Sequence, residues 1–280
     1  MIFPSSLINS LDMKRRPFLQ KLSIITSMST LMPFLNYGKM DFPEKIKLKF
    51  VVASDGHYGQ PNTDYEASHR DLIQAILKEN EVDFVVFNGD LIHDDPKWMP
   101  EVKKVYDSMQ LPYYPVKGNH DRISEESWKN IWGIPADHRF VWKEHYGMIL
   151  ANSSNEAGEY LCADLDFLKD SFEAFRNLPY VFLFIHISQN DWTLHGISCE
   201  PVLELIAKYP NVRAIFHGHD HDVDGIMRNR KKPYLWSGHF GGSWGSPHPG
   251  FRVCEVGQDG KVVTYLKAIK DGMILNGHTI

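Results

Sequence analysis

Five short apolar runs in this chain each break off into histidine, aspartate or asparagine. "FVVAS" runs into Asp55 and His57, "VVFNG" into Asp90, "YYPVKG" into Asn119 and His120, "VFLFI" into His186, and "AIFHG" into His219 and His221. A short run that is apolar at almost every position reads as a strand covered on both faces, as in a mainly parallel sheet. Between these runs, "EASHRDLIQAILKEN" sets Leu72, Ile73, Ile76 and Leu77 on one helical face, and a second helix candidate carries Val102, Val105 and Met109. Strands alternating with helical segments predict a layered α/β domain. In open α/β sheets ligands bind at the carboxyl ends of the strands, so the five polar clusters are expected to converge on one place. The tail differs: "KKPYLWSGHFGGSWGSPHPGFRVCEV" and "GKVVTYLKA" read as hairpin material with Gly-rich turns, which extends this sheet or adds a second.

At 280 residues, with 43% hydrophobic and 12% aromatic content, the chain is expected to build one large core, assigned here to residues 41–280. A net charge of −5 gives no overall basic footprint, so neither nucleic acid nor an anionic membrane is the expected partner. Cys162, Cys199 and Cys254 are scattered and lack C-x-x-C spacing, so neither a disulfide framework nor a zinc ribbon is indicated; one bridge, such as Cys162 to Cys199, stays open. Residues 1–40 form a separate segment. Arg15-Arg16-Pro17-Phe18-Leu19 precedes an apolar stretch from Leu22 to Leu35 that is too short for an ordinary transmembrane helix. This resembles a twin-arginine export signal, with Met13 as an alternative start. It implies a periplasmic or extracellular protein with no stable membrane anchor. The competing reading is an amphipathic helix packed on the domain of a cytoplasmic protein.

Taken singly, each polar cluster is weak, since a lone histidine at a strand end usually makes a structural hydrogen bond. "GNHD" and "GHDH" are less ordinary, because they gather rare residue types beside a glycine that permits a sharp turn. In order, "SDGHYG", "FNGDL", "KGNHD", "FIHIS" and "HGHDH" resemble the five blocks of the calcineurin-like metallophosphoesterases, over about Leu48 to His221. The tail is loosely similar to the small phosphodiesterase branch that includes the class III cyclic-nucleotide enzymes. The resemblance implies a four-layer α/β/β/α sandwich and two metal ions sharing a carboxylate. It assigns Asp55, His57, Asp90 and His221 to the first ion and Asp90, Asn119, His186 and His219 to the second. His120 and Asp121 become the proton-handling pair, with His120 the general acid and Asp121 orienting its ring. Two departures narrow the reading. His57 and His93 stand where a purple acid phosphatase would carry glycine and tyrosine, and Ile187 follows His186 where many phosphodiesterases double the histidine.

The donor chemistry points the same way. Carboxylate, imidazole and amide oxygens without thiolate suit Mn, Fe, Zn, Co or Ni. Two such ions about 3.5 to 4 Å apart clamp the attacking and leaving oxygens of an in-line displacement, the nucleophile being a metal-bridging hydroxide. The expected function is therefore hydrolysis of phosphomonoesters or small phosphodiesters. A non-catalytic scaffold of the same fold and a nuclease are the alternatives. The intact ligand set argues against the first, and the acidic balance against the second. Three further residues are candidates for substrate contacts. Arg122 would pair with a phosphate oxygen or with a neighbouring carboxylate, and His93 would approach the metals, stand behind them or lie at the surface. His239, with Trp236, Trp244 and His248, would line the mouth of the site or serve ordinary turn and core roles.

Overall fold

The computed structural model describes residues 40–280, so the export-signal expectation for residues 1–40 lies almost wholly outside the described residues. Among the described residues, twelve strands form two six-stranded sheets. The first is ordered β12 (Ile274–Thr279), β11 (Val262–Ala268), β10 (Gly250–Gly257), β1 (Ile46–Ala53), β2 (Phe84–Asn88) and β3 (Tyr113–Val116). The second is ordered β4 (His138–Trp142), β5 (Tyr146–Ala151), β6 (Tyr180–Ile185), β7 (Val212–His217), β9 (Lys232–Trp236) and β8 (Ile226–Asn229). β1, β2 and β3 run parallel, as do β5, β6, β7 and β9. The tail hairpin of β10 and β11 joins the first sheet antiparallel to β1, and β12 extends it.

The two-residue repeat of a strand explains the layering. In β1, Leu48, Phe50 and Val52 point into a core shared with Phe182, Phe184 and Phe216 of the second sheet, while Val51 and Ala53 face the other way. That other face is covered by α1 (Tyr65–Leu77), α2 (Met99–Asp107) and α3 (Glu125–Trp132), through Leu72, Ile76, Val102, Tyr106 and Trp128. On the second sheet, Val181, Leu183 and Ile185 pack against Leu168 and Phe172 of α4 (Leu165–Ala174) and Val202, Leu203 and Ile206 of α5 (Glu200–Ala207). Strands apolar on both faces thus require helix, sheet, sheet and helix in that order, the expected sandwich. Phe50 sits at the middle of the central layer. Its ring stacks on Phe84 at 5.3 Å and meets Phe182 edge-on at 5.2 Å.

Cys162 and Cys199 are bonded, which closes the possibility that the sequence leaves open, and Cys254 is free and buried. Trp236 ends β9 inside the helix-covered core of the second sheet and does not line the mouth of the site. Among the described residues, no helix is long and apolar enough to cross a membrane.

Arg252 ties the sheets together. It lies on β10, is fully buried, and donates to the carbonyls of Trp236 and Asp224 and to the Asn276 side chain at 2.6 to 3.1 Å. A buried guanidinium has no water to fall back on, and neither do the oxygens it serves. Arg252→Leu is expected to lower unfolding stability by about 3 kcal/mol, because it strands several buried acceptors at once. Urea titration should show the midpoint fall with little change in slope; an unchanged midpoint would show that the tie is dispensable.

Candidate metal centre

The parallel strands of both sheets deliver their carboxyl ends to one edge of the sandwich, and the turns found there are unusual. Asp55, His57, Asp90 and His219 have φ of 61°, 47°, 52° and 68°, a left-handed conformation that branched and ordinary side chains rarely adopt. Each position of this kind costs roughly 1 kcal/mol or more and persists because the surroundings fix it. Backbone bonds do the fixing: Asp55 N donates to Gly89 O at 3.1 Å, His57 N to Asp90 O at 3.0 Å, and Gly218 N to His186 O at 3.0 Å. Two glycines are required by close approach. A side chain at Gly89, itself at φ 91°, would collide with the His186 ring, and one at Gly218 would collide with Ser54 Oγ.

The side chains on these turns form two buried groups, Asp55 with His57 and His221, and Asp90 with His186 and His219. The groups are joined. His186 Nε2 lies 3.2 Å from Asp90 Oδ2 and 3.8 Å from Asp55 Oδ1, and His57 Nε2 lies 3.7 Å from Asp90 Oδ2. Asp90 therefore faces both groups. Its other oxygen accepts the His120 amide at 2.8 Å. His186 donates Nδ1–H to the Asn88 carbonyl at 2.7 Å and His221 donates Nδ1–H to the Trp244 carbonyl at 3.0 Å, so each turns Nε2 toward the carboxylates. A carbonyl behind the far nitrogen is how proteins set the tautomer of a ligating histidine.

Whether these residues suit cations can be tested on their unsatisfied atoms. Asn119 Oδ1 and His219 Nε2 are buried without a hydrogen-bond partner, and His186 Nε2 faces only the carboxylates of Asp90 and Asp55. Orphaned lone pairs of this kind are uncommon in a folded protein, and two of them on the turns that carry this cluster fit a bound cation. The titration of the groups agrees. Burial pushes His57 and His219 down to about 3, so both are neutral at pH 7. For Asp55, burial opposes ionisation, but the charges of His221 and His186 outweigh it and hold the carboxyl at about 2; Asp90 is likewise held well below the usual range. Burial also opposes charging of His186, yet Asp90 and Asp55 raise it to about 10. Without an ion, a proton on His186 balances the carboxylates; a cation would displace it.

The residues around the two groups depart from expectation in several places. Asp121 does not face His120. Its buried carboxylate accepts the amides of Leu91, Ile92 and Gly118 at 2.7 to 3.1 Å, bracing the Asp90 turn. The carboxylate that meets His120 is Asp94, whose Oδ1 accepts His120 Nδ1–H at 2.9 Å and Arg122 Nε–H at 2.9 Å. The reason is local: Asn119–Asp121 form a tight 3-10 turn ending in a left-handed Arg122, which sends Asp121 inward and His120 outward. Arg122 thus makes an ion pair. His93 places Nδ1 3.1 Å from His57 Nδ1 and stacks on His120 at 5.0 Å, so it stands behind His57. His239 is buried, with Nδ1 and Nε2 against the carbonyls of Gly241 and Ser246, and stacks on His221. Sequence reasoning misses Asp94, although it closes the same "GDLIHDD" turn as Asp90; the doubled aspartate is the available signal.

Comparison with other proteins matches this arrangement. A family model described as calcineurin-like phosphoesterase fits residues 48–223. A dimetal phosphatase from Danio rerio superposes with a TM-score of 0.68 at 15% identity, over 84% of this chain and 99% of that one. A purple acid phosphatase from yellow lupin seeds gives 0.63 at 13% identity, over 86% of this chain and 55% of that one. At these identities the likeness is one of fold. No curated protein matches the chain in sequence.

Wild-type protein is expected to bind two transition-metal ions per chain by elemental analysis, and Asp90→Asn to hold about one or fewer, because the substitution strikes both groups. Calorimetry at pH 7 in two buffers of different ionisation enthalpy should report net proton release on binding, since His186 begins protonated. Full occupancy in Asp90→Asn would remove Asp90 from the site.

Proposed function

The chain belongs to the calcineurin-like phosphoesterase family, a metal-dependent hydrolase, and on that footing we propose that it cleaves phosphomonoesters or small phosphodiesters at the Asp90 cluster. In this reading Asp55, His57, Asp90 and His221 hold one ion, and Asp90, Asn119, His186 and His219 the other. The observation that supports it most is the pair of buried Asp and His groups at the strand ends, with the lone pairs of Asn119 and His219 left unpartnered beside them. When bound, two transition-metal ions would supply Lewis acidity, activation of water near neutral pH and neutralisation of phosphoryl charge.

The chain's own contribution lies in positioning and proton handling. His120 is anchored by its amide on Asp90, and its ring lies edge-on to His57 at 4.9 Å, beside the cluster without being needed in it. Asp94 accepts its Nδ1–H, which fixes the ring and leaves Nε2 as the atom able to give a proton to the departing oxygen. Arg122 holds Asp94 from the other side. His93 receives or gives the proton between its Nδ1 and that of His57, and so fixes which way His57 faces.

We also propose that the protein works outside the cytoplasm. The paired arginines at 15 and 16 support this, and so does the Cys162–Cys199 disulfide, a bond that persists in oxidising compartments.

Hydrolysis of p-nitrophenyl phosphate and bis-p-nitrophenyl phosphate, with and without added Mn, tests the proposal, and the preferred compound separates monoesterase from diesterase. His120→Ala is expected to keep both ions and lose roughly 10²–10⁴-fold in kcat, most for substrates with poor leaving groups, which depend most on protonation. Asp94→Asn should fall the same way but less far. An equal loss across leaving groups would argue against the acid role.

A further inference from the structure

Three aromatic side chains that the proposed chemistry does not use stand on the outer faces of the second-sheet histidines. Trp244 stacks flat on His221, with centroids 4.2 Å apart and planes within 5°. Tyr160 and His195 meet His219 edge-on at 4.8 and 5.7 Å, and His195 lies 6.0 Å from Trp244. Large apolar surface stays open to solvent here: Trp244 is 46% exposed, Tyr160 39%, and Leu194, next to His195, 90%. Single exposed aromatics need no explanation, but three rings seated on two histidines of one cluster form a contiguous patch.

These rings are also held in place. Tyr160 lies on a loop closed by a bridge to Ser154 and by Leu161 N donating to Ser153 O at 2.8 Å. His195 lies on a loop closed by Ile197 N donating to Ser188 O at 3.0 Å. The two loops are stapled to one another by the Cys162–Cys199 disulfide and by buried Gln189, whose Oε1 accepts the Ala163 amide at 2.7 Å. Trp244 is anchored by its own carbonyl, which accepts His221 Nδ1–H. A rim fixed before binding loses little freedom when a ligand lands on it.

We propose that Tyr160, His195 and Trp244 form a flat-ring subsite that takes the aryl or nucleobase part of the phosphoester while its phosphoryl group lies on the Asp90 cluster. The inference rests on the phosphohydrolase reading for the position of the phosphoryl group. Recognition is by π-faces and apolar area, because Tyr160 and Trp244 carry no charge and Arg122 is engaged by Asp94. Stacking of this kind tolerates any planar ring, so the subsite selects flat esters over alkyl or open-chain ones without specifying a single base.

The test is equilibrium binding of phenylphosphonate and methylphosphonate to the Mn-loaded full-length protein, by calorimetry. Neither compound has an ester to hydrolyse, so the result does not depend on turnover. Phenylphosphonate is expected to bind about tenfold more tightly, and Tyr160→Ala and Trp244→Ala should each narrow the gap to about threefold or less, with Trp244→Tyr restoring most of it. Metal content measured on each variant separates loss of the rim from loss of the ions. Equal affinity of the two compounds for the wild type, or a gap that survives both alanine substitutions, overturns the subsite. A preserved gap in a protein that turns over no phosphoester would support the subsite while overturning the hydrolase reading, and turnover without a gap would do the reverse.

Discussion

Asp55 and Asp90 lie side by side, fully or almost fully buried, and among the described residues neither pairs with a lysine or an arginine. Two carboxylates taken out of water at such proximity repel each other and lose their hydration, and the protein must return that energy from somewhere. It does so with imidazoles turned inward, and those imidazoles occupy different turns on two different sheets. The sandwich can therefore be seen as the device that brings Asp55 and Asp90, from neighbouring strands of one sheet, within reach of His186, His219 and His221 from the other. A proton on His186 balances the pair only in part. Cations held by the same lone pairs would balance it fully, which is why the donor set has the composition it has.

Much of this is legible in the sequence because it is local. A strand covered on both faces needs an apolar residue at nearly every position, and a run such as "VFLFI" ends abruptly where the backbone leaves the sheet; the residues just past that break are the ones the site receives. Asp55, His57, Asp90, Asn119, His186, His219 and His221 all stand at such breaks, and the structure gathers them. The neighbours of His120 are not legible, because they depend on the sense of a turn. Whether Asp121 or Asp94 faces the imidazole is decided by the 3-10 geometry of Asn119–Asp121 and the left-handed Arg122, which a one-dimensional pattern does not encode. The directions of His239 and Trp236 stay open in the sequence for a related reason: a histidine or tryptophan in a Gly-rich tail can point either into the core or out of it, and only packing decides. The Cys162–Cys199 pairing joins two loops that no periodicity relates.

Beyond the cluster, two kinds of fixing act at different ranges. Arg252 ties the two sheets through the carbonyls of Trp236 and Asp224 and the side chain of Asn276. The disulfide and Gln189 hold two loops at the mouth, where a small displacement would change what can lie beside the metals. Rigidity is thus placed both at the base of the site and at its entrance. Between them, Asp55, His57, Asp90 and His219 hold left-handed backbone conformations that are individually unfavourable and are fixed by their neighbours.

Gly89 and Gly218 carry a consequence for how such a chain can change over generations. Each leaves room for a group on the opposite sheet, Gly89 for the ring of His186 and Gly218 for Ser54 and Asp55. A side chain gained at one of these positions demands a simultaneous loss at a partner remote in sequence, and that partner belongs to the metal cluster or lies directly beside it. The two halves of the molecule are consequently not free to drift apart. Their interlock restricts exchange of one half for that of a distant relative, and descendants of this chain should hold these glycines even where the surrounding strands have been rewritten.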